Sequence, residues 1–150
     1  HLTIKDMRDL YDLRLVLERH AFELAWPRIT NEDIETVRAL AVLAKPSDHR
    51  DWPKRCLKLD LALHGLWIHR CGNSWLGATL EWQYRFLRIF QRWIGQNPAS
   101  LAKSYEEHLV ALDALERRDK TAAMDWLRQH IEASAKLVEE AMSTHAAATK

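Results

Sequence analysis

Apolar residues recur every three to four positions along most of this chain, and no segment alternates strictly between apolar and polar. The pattern therefore predicts helices and no strands. A first helix is expected from about Thr3, with Asp6 in capping-box position, to Trp26, where Pro27 ends it. Thr30 with Asp33 repeats the capping box and opens a second helix that stops before Pro46. The stretch Lys45 to Pro53 reads as the longest loop, and a third helix follows over about Lys54 to Cys71. Gly72, Asn73 and Ser74 supply a stop and a new cap before a fourth helix from Trp75 to about Ile94. Beyond Gly95 to Pro98 come two more helices, separated by the polar segment Glu116 to Lys120, with Asp119 as cap of the last; Ser143 to Lys150 is expected to fray. The fold class is all-α, a helical bundle in one domain.

The helical stripes carry polar interruptions. From Leu101 the apolar positions read Leu101, Tyr105, His108, Leu112, Leu115, and in the last helix Ala123, Leu127, His130, Ser134, Leu137, Ala141. If the last two helices form an antiparallel hairpin turning near Arg118, His108 lies 10 residues before the turn (118 − 108) and His130 lies 12 after it (130 − 118). At a rise of about 1.5 Å per residue the two imidazoles stand at nearly the same height and face each other. Asp60 and His64, at i and i+4, share one face of helix three. Four ligand-type side chains on largely apolar stripes are costly to bury without a cation, so Asp60, His64, His108 and His130 form a candidate metal site. Three imidazoles and a carboxylate suit Zn²⁺, Ni²⁺, Mn²⁺ or Fe²⁺. The other histidines, His1, His20, His49, His69 and His145, fall at ends, in the loop or off such stripes and read as solvated.

Helix one is read as a stripe of Met7, Leu10, Arg14, Leu17, Ala21 and Leu24, which puts a guanidinium in a core position. Such a group wants an anion, either a ligand or an internal partner such as Asp60 or a glutamate. Helix four carries Glu81, Arg85, Arg88 and Arg92 on one stripe, which reads as a solvated face or as the lining of a cavity, where Arg85 or Arg88 would clamp a second carboxylate. Trp67, Trp75, Trp82 and Trp93 fall in helices three and four, most of them expected in the core and one or two at a subunit interface.

With 150 residues and 47% hydrophobic content the chain has enough material for one substantial core. A net charge of +1 gives no global field toward nucleic acid or a membrane, so DNA binding by this segment itself is not expected. Cys56 and Cys71 read as small core residues in a reducing compartment, and no apolar run reaches membrane-spanning length. A cytoplasmic protein is expected. The start at His1 suggests that the chain is a piece of something longer.

Several segments resemble a known family: Tyr11-Asp-Leu-Arg-Leu-Val-Leu-Glu18, Asp60-Leu-Ala-Leu-His64, Cys71-Gly-Asn73, Glu107-His108 with Leu112-Asp-Ala114, and Asp119 with Ala122 and Arg128-Gln-His130-Ile131. In their order and spacing these resemble the C-terminal effector-binding domain, FCD, of the FadR subgroup of GntR-type transcription regulators, over nearly the whole chain. The resemblance implies an antiparallel bundle of six or seven helices enclosing a cavity with a divalent metal, Zn²⁺ first among the candidates. It maps the metal ligands onto Asp60, His64, His108 and His130 and the effector-facing arginine onto Arg14, with Asn73 added to the ligand-binding set. It further implies a homodimer and an N-terminal winged-helix DNA-binding domain absent from this chain. The chain departs from the family at Leu63, where an aromatic residue is frequent, at Arg118, where glycine is usual, and at Leu109, where a basic residue is common.

The expected function is thus a ligand-sensing, dimerising domain of a bacterial transcription regulator, not an enzyme, whose effector is a small carboxylate. Two rivals stand beside it. A metal with open positions would suit a hydrolase with Glu107 as general base, although Glu107 should point about 100° from its neighbour His108. A closed site would make the metal purely structural.

Overall fold

The capping signals start helices where the sequence places them. In a computed structural model that describes residues 3–94 and 97–148, with backbone alone at 91–94 and 146–148, the chain forms six α-helices. Helix α1 (Ile4–Ala25) opens on Thr3, whose hydroxyl accepts from Asp6 N at 3.1 Å while its own N–H donates to the Asp6 carboxylate at 2.8 Å. Thr30 and Asp33 repeat this at α2 (Asn31–Leu43) with 3.1 and 2.9 Å. Between them Pro27 sits in one 3₁₀ turn, Trp26–Arg28, so α1 ends a residue earlier than expected. Helix α3 (Trp52–Arg70) starts before the expected Lys54, because Pro53 is tolerated in a first turn and Trp52 donates its indole N–H to Ala44 O at 2.9 Å, closing the loop. Asn73 caps α4 (Ser74–Ile94) and Asn97 caps α5 (Pro98–Glu116), each accepting a backbone N–H on its side-chain oxygen.

The turn between α5 and α6 (Lys120–Ala148) is a Schellman closure. Arg118 N donates to Leu115 O at 3.0 Å and Asp119 N to Ala114 O at 2.9 Å, with Arg118 itself at φ 55°. A side chain in that region is strained by roughly 1–2 kcal/mol relative to glycine. Here the guanidinium offsets this by donating to Ile29 O at 2.8 Å and to the Asn31 side chain at 2.6 Å, tying the hairpin to the α1–α2 junction.

Helix α1 is central, packing on α3, α4 and α6, while α2 lies against α3 and α5 and the α5–α6 hairpin closes the bundle. Its buried face is Met7, Tyr11, Arg14, Glu18, Ala21, Phe22 and Ala25, so the expected stripe through Leu10, Leu17 and Leu24 is displaced by one residue. Steps of seven drift by about 20° per heptad on a 3.6-residue helix, whereas Met7 to Ala25 spans five whole turns. The same drift moves the α6 face to Val138 and Met142, leaving Leu137 41% exposed. Helix α6 runs to Ala148, past Ser143 where the sequence predicts fraying, with Met142 buried in the core and an alanine run following. Residues 149–150 lie outside the described residues, as do His1, Gly95 and Gln96.

Of the five tryptophans in α3 and α4, Trp52 and Trp67 are buried. Trp75 is 84% and Trp82 54% exposed, and the Trp93 side chain lies outside the described residues. Cys56 and Cys71 are buried and free. Among the described residues no helix is long and apolar enough to cross a membrane.

Candidate metal centre

One turn of α3 carries Asp60 and His64, α5 brings His108 and α6 brings His130. Each offers one ligand atom such that all four atoms lie within 4.8 Å of one another. The His108 and His130 ring centroids are 5.0 Å apart, as the hairpin arithmetic requires, and His64 is 5.3 Å from His130. The Nε2 atoms of His64 and His108 are buried without a hydrogen-bond partner; the latter sits 3.3 Å from Asp60 Oδ1 but is not aligned for a bond. Two orphaned buried imidazole nitrogens facing a carboxylate are costly in a metal-free core and fit a divalent cation.

Carboxylates behind the imidazoles fix which nitrogen points inward. Glu18, fully buried on α1, accepts from His64 Nδ1 at 2.7 Å and Trp67 Nε1 at 2.8 Å on one oxygen, and from Arg14 Nε at 2.6 Å and Tyr84 OH at 2.7 Å on the other. A carboxylate so surrounded is acceptor-only, so the proton in that contact sits on His64 Nδ1 and Nε2 is the nitrogen left facing the cluster. Burial pushes the Glu18 carboxyl up, but His64 and Arg14 outweigh it and hold the group well below the usual carboxylate range. Asp60 is also held low against its burial, by His108 and then by the other two imidazoles. Glu107 meets His130 Nδ1 at 3.3 Å and is lowered by that contact. Burial, with His108 and His64 adding to it, pushes His130 down to about 4 against the opposing pull of Glu107, so its ring is neutral near pH 7. Glu107 does leave His108, as expected from the helix geometry, but it is engaged by His130 instead of standing free as a base.

Arg14 is 1% exposed, as its place in the stripe implied. The internal partner is Glu18, and Tyr84 OH accepts from Nη2 at 3.0 Å, while Nη1 stays buried and unpartnered. Tyr11 and Tyr84 flank the guanidinium at 5.7 and 5.0 Å from their ring centroids. Between α3 and α4 lies a cleft of about 330 Å³ whose lining includes His64, Gly65 and Tyr84. Arg85 and Arg88 line it too, but both are exposed, as is His69, which pairs with Glu81 at 3.3 Å. Asn73 is outside this lining; its amide oxygen is spent on Leu76 N at 3.1 Å, so it serves as a cap rather than facing the cluster. The Arg92 side chain lies outside the described residues.

Glu18, Tyr84, Trp67 and Trp126 were not singled out as site residues by the sequence. A signal existed for Glu18: it lies at i+4 from Arg14, where a buried guanidinium finds its nearest carboxylate. Trp126 stacks on His130 with ring centroids 4.8 Å apart and 14° between the planes.

Residues 9–133 match the FCD domain family. The Nta operon transcriptional regulator of Aminobacter aminovorans is 30% identical to this chain over 122 residues, covering 81% of this chain and 57% of that protein. A solved transcriptional regulator of the GntR family from Pseudomonas syringae pv. tomato superposes with a TM-score of 0.76 at 20% identity, over the whole of this chain and 62% of that one. The chain thus spans less than two thirds of either relative.

Proposed function

Because the chain belongs to the FCD domain family, we propose that it is the effector-binding and dimerising domain of a GntR-type bacterial transcription regulator, holding one divalent metal and reading a small carboxylate. The observation that carries the metal is the convergence of Asp60, His64, His108 and His130, with two imidazole nitrogens buried and unpartnered. When bound, a metal held by these four residues supplies a Lewis-acidic position for a ligand oxygen. Zn²⁺ is the first candidate, with Ni²⁺, Mn²⁺ and Fe²⁺ compatible with the same donors.

The chain's own residues do the rest. Glu18 and Glu107 orient His64 and His130. Arg14 offers Nη1 to an anion, and Arg85 and Arg88 on the cleft lining contact the far end of a longer one. Binding at a site built from α1, α3, α5 and α6 favours one packing of the bundle, and differential affinity for two arrangements becomes a change in operator affinity through winged-helix domains outside this chain. In support of a homodimer, Trp75, Trp82 and Ile89 stand exposed at i, i+7 and i+14, one apolar stripe along α4. The protein works in the cytoplasm, where such regulators meet DNA.

A catalytic reading is less favoured because Glu107, the one base suggested for it, is engaged by His130. Metal analysis of the purified domain tests the proposal. About one divalent ion per chain is expected, with His108→Ala and His130→Ala each lowering metal content and thermal stability together. A metal-free wild type whose stability ignores chelators would refute it.

A further inference from the structure

Trp126 lies one turn before His130 on α6 and is only 8% exposed. Besides stacking on His130 at 4.8 Å, its ring is 5.8 Å from that of His108 and 5.9 Å from that of His64, so one indole touches all three imidazoles of the centre. The other buried tryptophans satisfy their N–H within the chain, Trp67 on Glu18 and Trp52 on Ala44 O. The Nε1 of Trp126 is buried with no acceptor. A phenylalanine would give the same stacking surface without stranding a donor, so the indole nitrogen needs a reason.

Resting on the metal reading above, we infer that Trp126 Nε1 donates to the exogenous anion of the metal centre. The carboxylates that meet the imidazoles are already engaged. Asp60 belongs to the cluster, Glu18 already takes four donors and Glu107 is engaged by His130. With His64 Nε2 and His108 Nε2 assigned to the ion, the unmatched buried donors among the described residues are Arg14 Nη1 and Trp126 Nε1, and the one unmatched buried amide oxygen is Gln83 Oε1 on α4. An anion that coordinated the metal beside the stacked Trp126–His130 pair would satisfy the indole at the same time. Trp126 is therefore a specificity residue that acts on the ligand, separate from the four residues that hold the ion.

The test uses the whole domain loaded with Co²⁺ and titrated with azide, a small anion whose coordination changes the visible cobalt spectrum. Azide is expected to bind, and Trp126→Phe should retain the same cobalt content while binding azide about tenfold more weakly, the effect of one hydrogen bond. In the Zn²⁺-loaded wild type, one of the seven tryptophan indole ¹⁵N–¹H resonances should shift on azide addition and exchange more slowly with water, a readout that survives if the variant fails to fold. An unchanged cobalt spectrum, equal azide affinity in Trp126→Phe, or indole resonances that ignore azide would each overturn the inference while leaving the metal centre standing. Failure of the wild type to take up cobalt or zinc would overturn the metal reading and this inference together.

Discussion

Replacing Glu18 with glutamine changes one atom and should disturb both stability and metal affinity. The carboxylate accepts from His64, Trp67, Arg14 and Tyr84, all at 2.6–2.8 Å, and is fully buried. A glutamine offers one acceptor oxygen, so its amide N–H₂ must face two donors on the other side, and the Arg14 charge is left without its counter-ion. Breaking a buried pair by removing one partner costs about 3–5 kcal/mol. For a domain of this size each kcal/mol moves Tm by about 2–4 °C, so the loss should be roughly 6–20 °C. His64 also loses the acceptor that sets its tautomer, and removal of such a supporting carboxylate lowers metal affinity about 10–100-fold. Thermal denaturation in chelator measures the first effect, and competition against a calibrated zinc chelator measures the second. Adding Arg14→Met to Glu18→Gln should recover much of the stability, since removing both charges restores a neutral core, but not the metal affinity. A Glu18→Gln protein that melts within about 3 °C of wild type and binds zinc equally well would refute the assignment of Glu18 as the group that orients His64.

Other expectations follow from the same geometry. The metal-free domain should lose stability as pH falls from about 6.5 toward 4, because His130 is held down to about 4 when folded and titrates at its ordinary 6.5 when unfolded. The unfolded chain then binds more protons in that window, and the shift is worth at most about 3 kcal/mol. Urea titrations at several pH values in chelator check this, and a profile that is flat or rises toward acid contradicts it. Arg14→Lys keeps a charge beside Glu18 but cannot serve Glu18 and an anion at once, so calorimetry with short organic acids should show about tenfold weaker binding at unchanged metal content; equal affinity would place the effector elsewhere. At the α5–α6 turn, Arg118→Gly trades relief of strain at φ 55° for two lost hydrogen bonds and should come within about 1 kcal/mol of wild type. Arg118→Ala keeps the strain and loses the bonds, so it should be the less stable of the two in denaturant titrations; equal stability would show that the strain is negligible.

What could be read from the sequence divides along a physical line. The six helices were legible because their boundaries are local chemistry: Thr3 with Asp6, Thr30 with Asp33, Pro27 and Asp119 act on the nearest turn of backbone. The pairing of His108 with His130 was legible because a short connection fixes the register of a hairpin, and rise per residue does the rest. Arg14 was legible as a buried charge but its partner was not, because Leu17 is the better core residue by hydrophobicity and Glu18 won the buried face by geometry. A stripe assembled in steps of seven lags behind a helix of 3.6 residues per turn, and over the length of α1 the lag is enough to exchange a leucine for a glutamate. Glu18 and Tyr84 share this difficulty, since each meets the cluster from a helix that carries none of its four residues, whereas Trp126 stands one turn before His130 and its i, i+4 spacing is a signal in the sequence. A buried cation nevertheless implies a buried anion within reach. The burial of Arg14 is the stronger constraint and the leucine stripe the weaker, and it points to Glu18 one turn on, a carboxylate with acceptor capacity to spare for an imidazole.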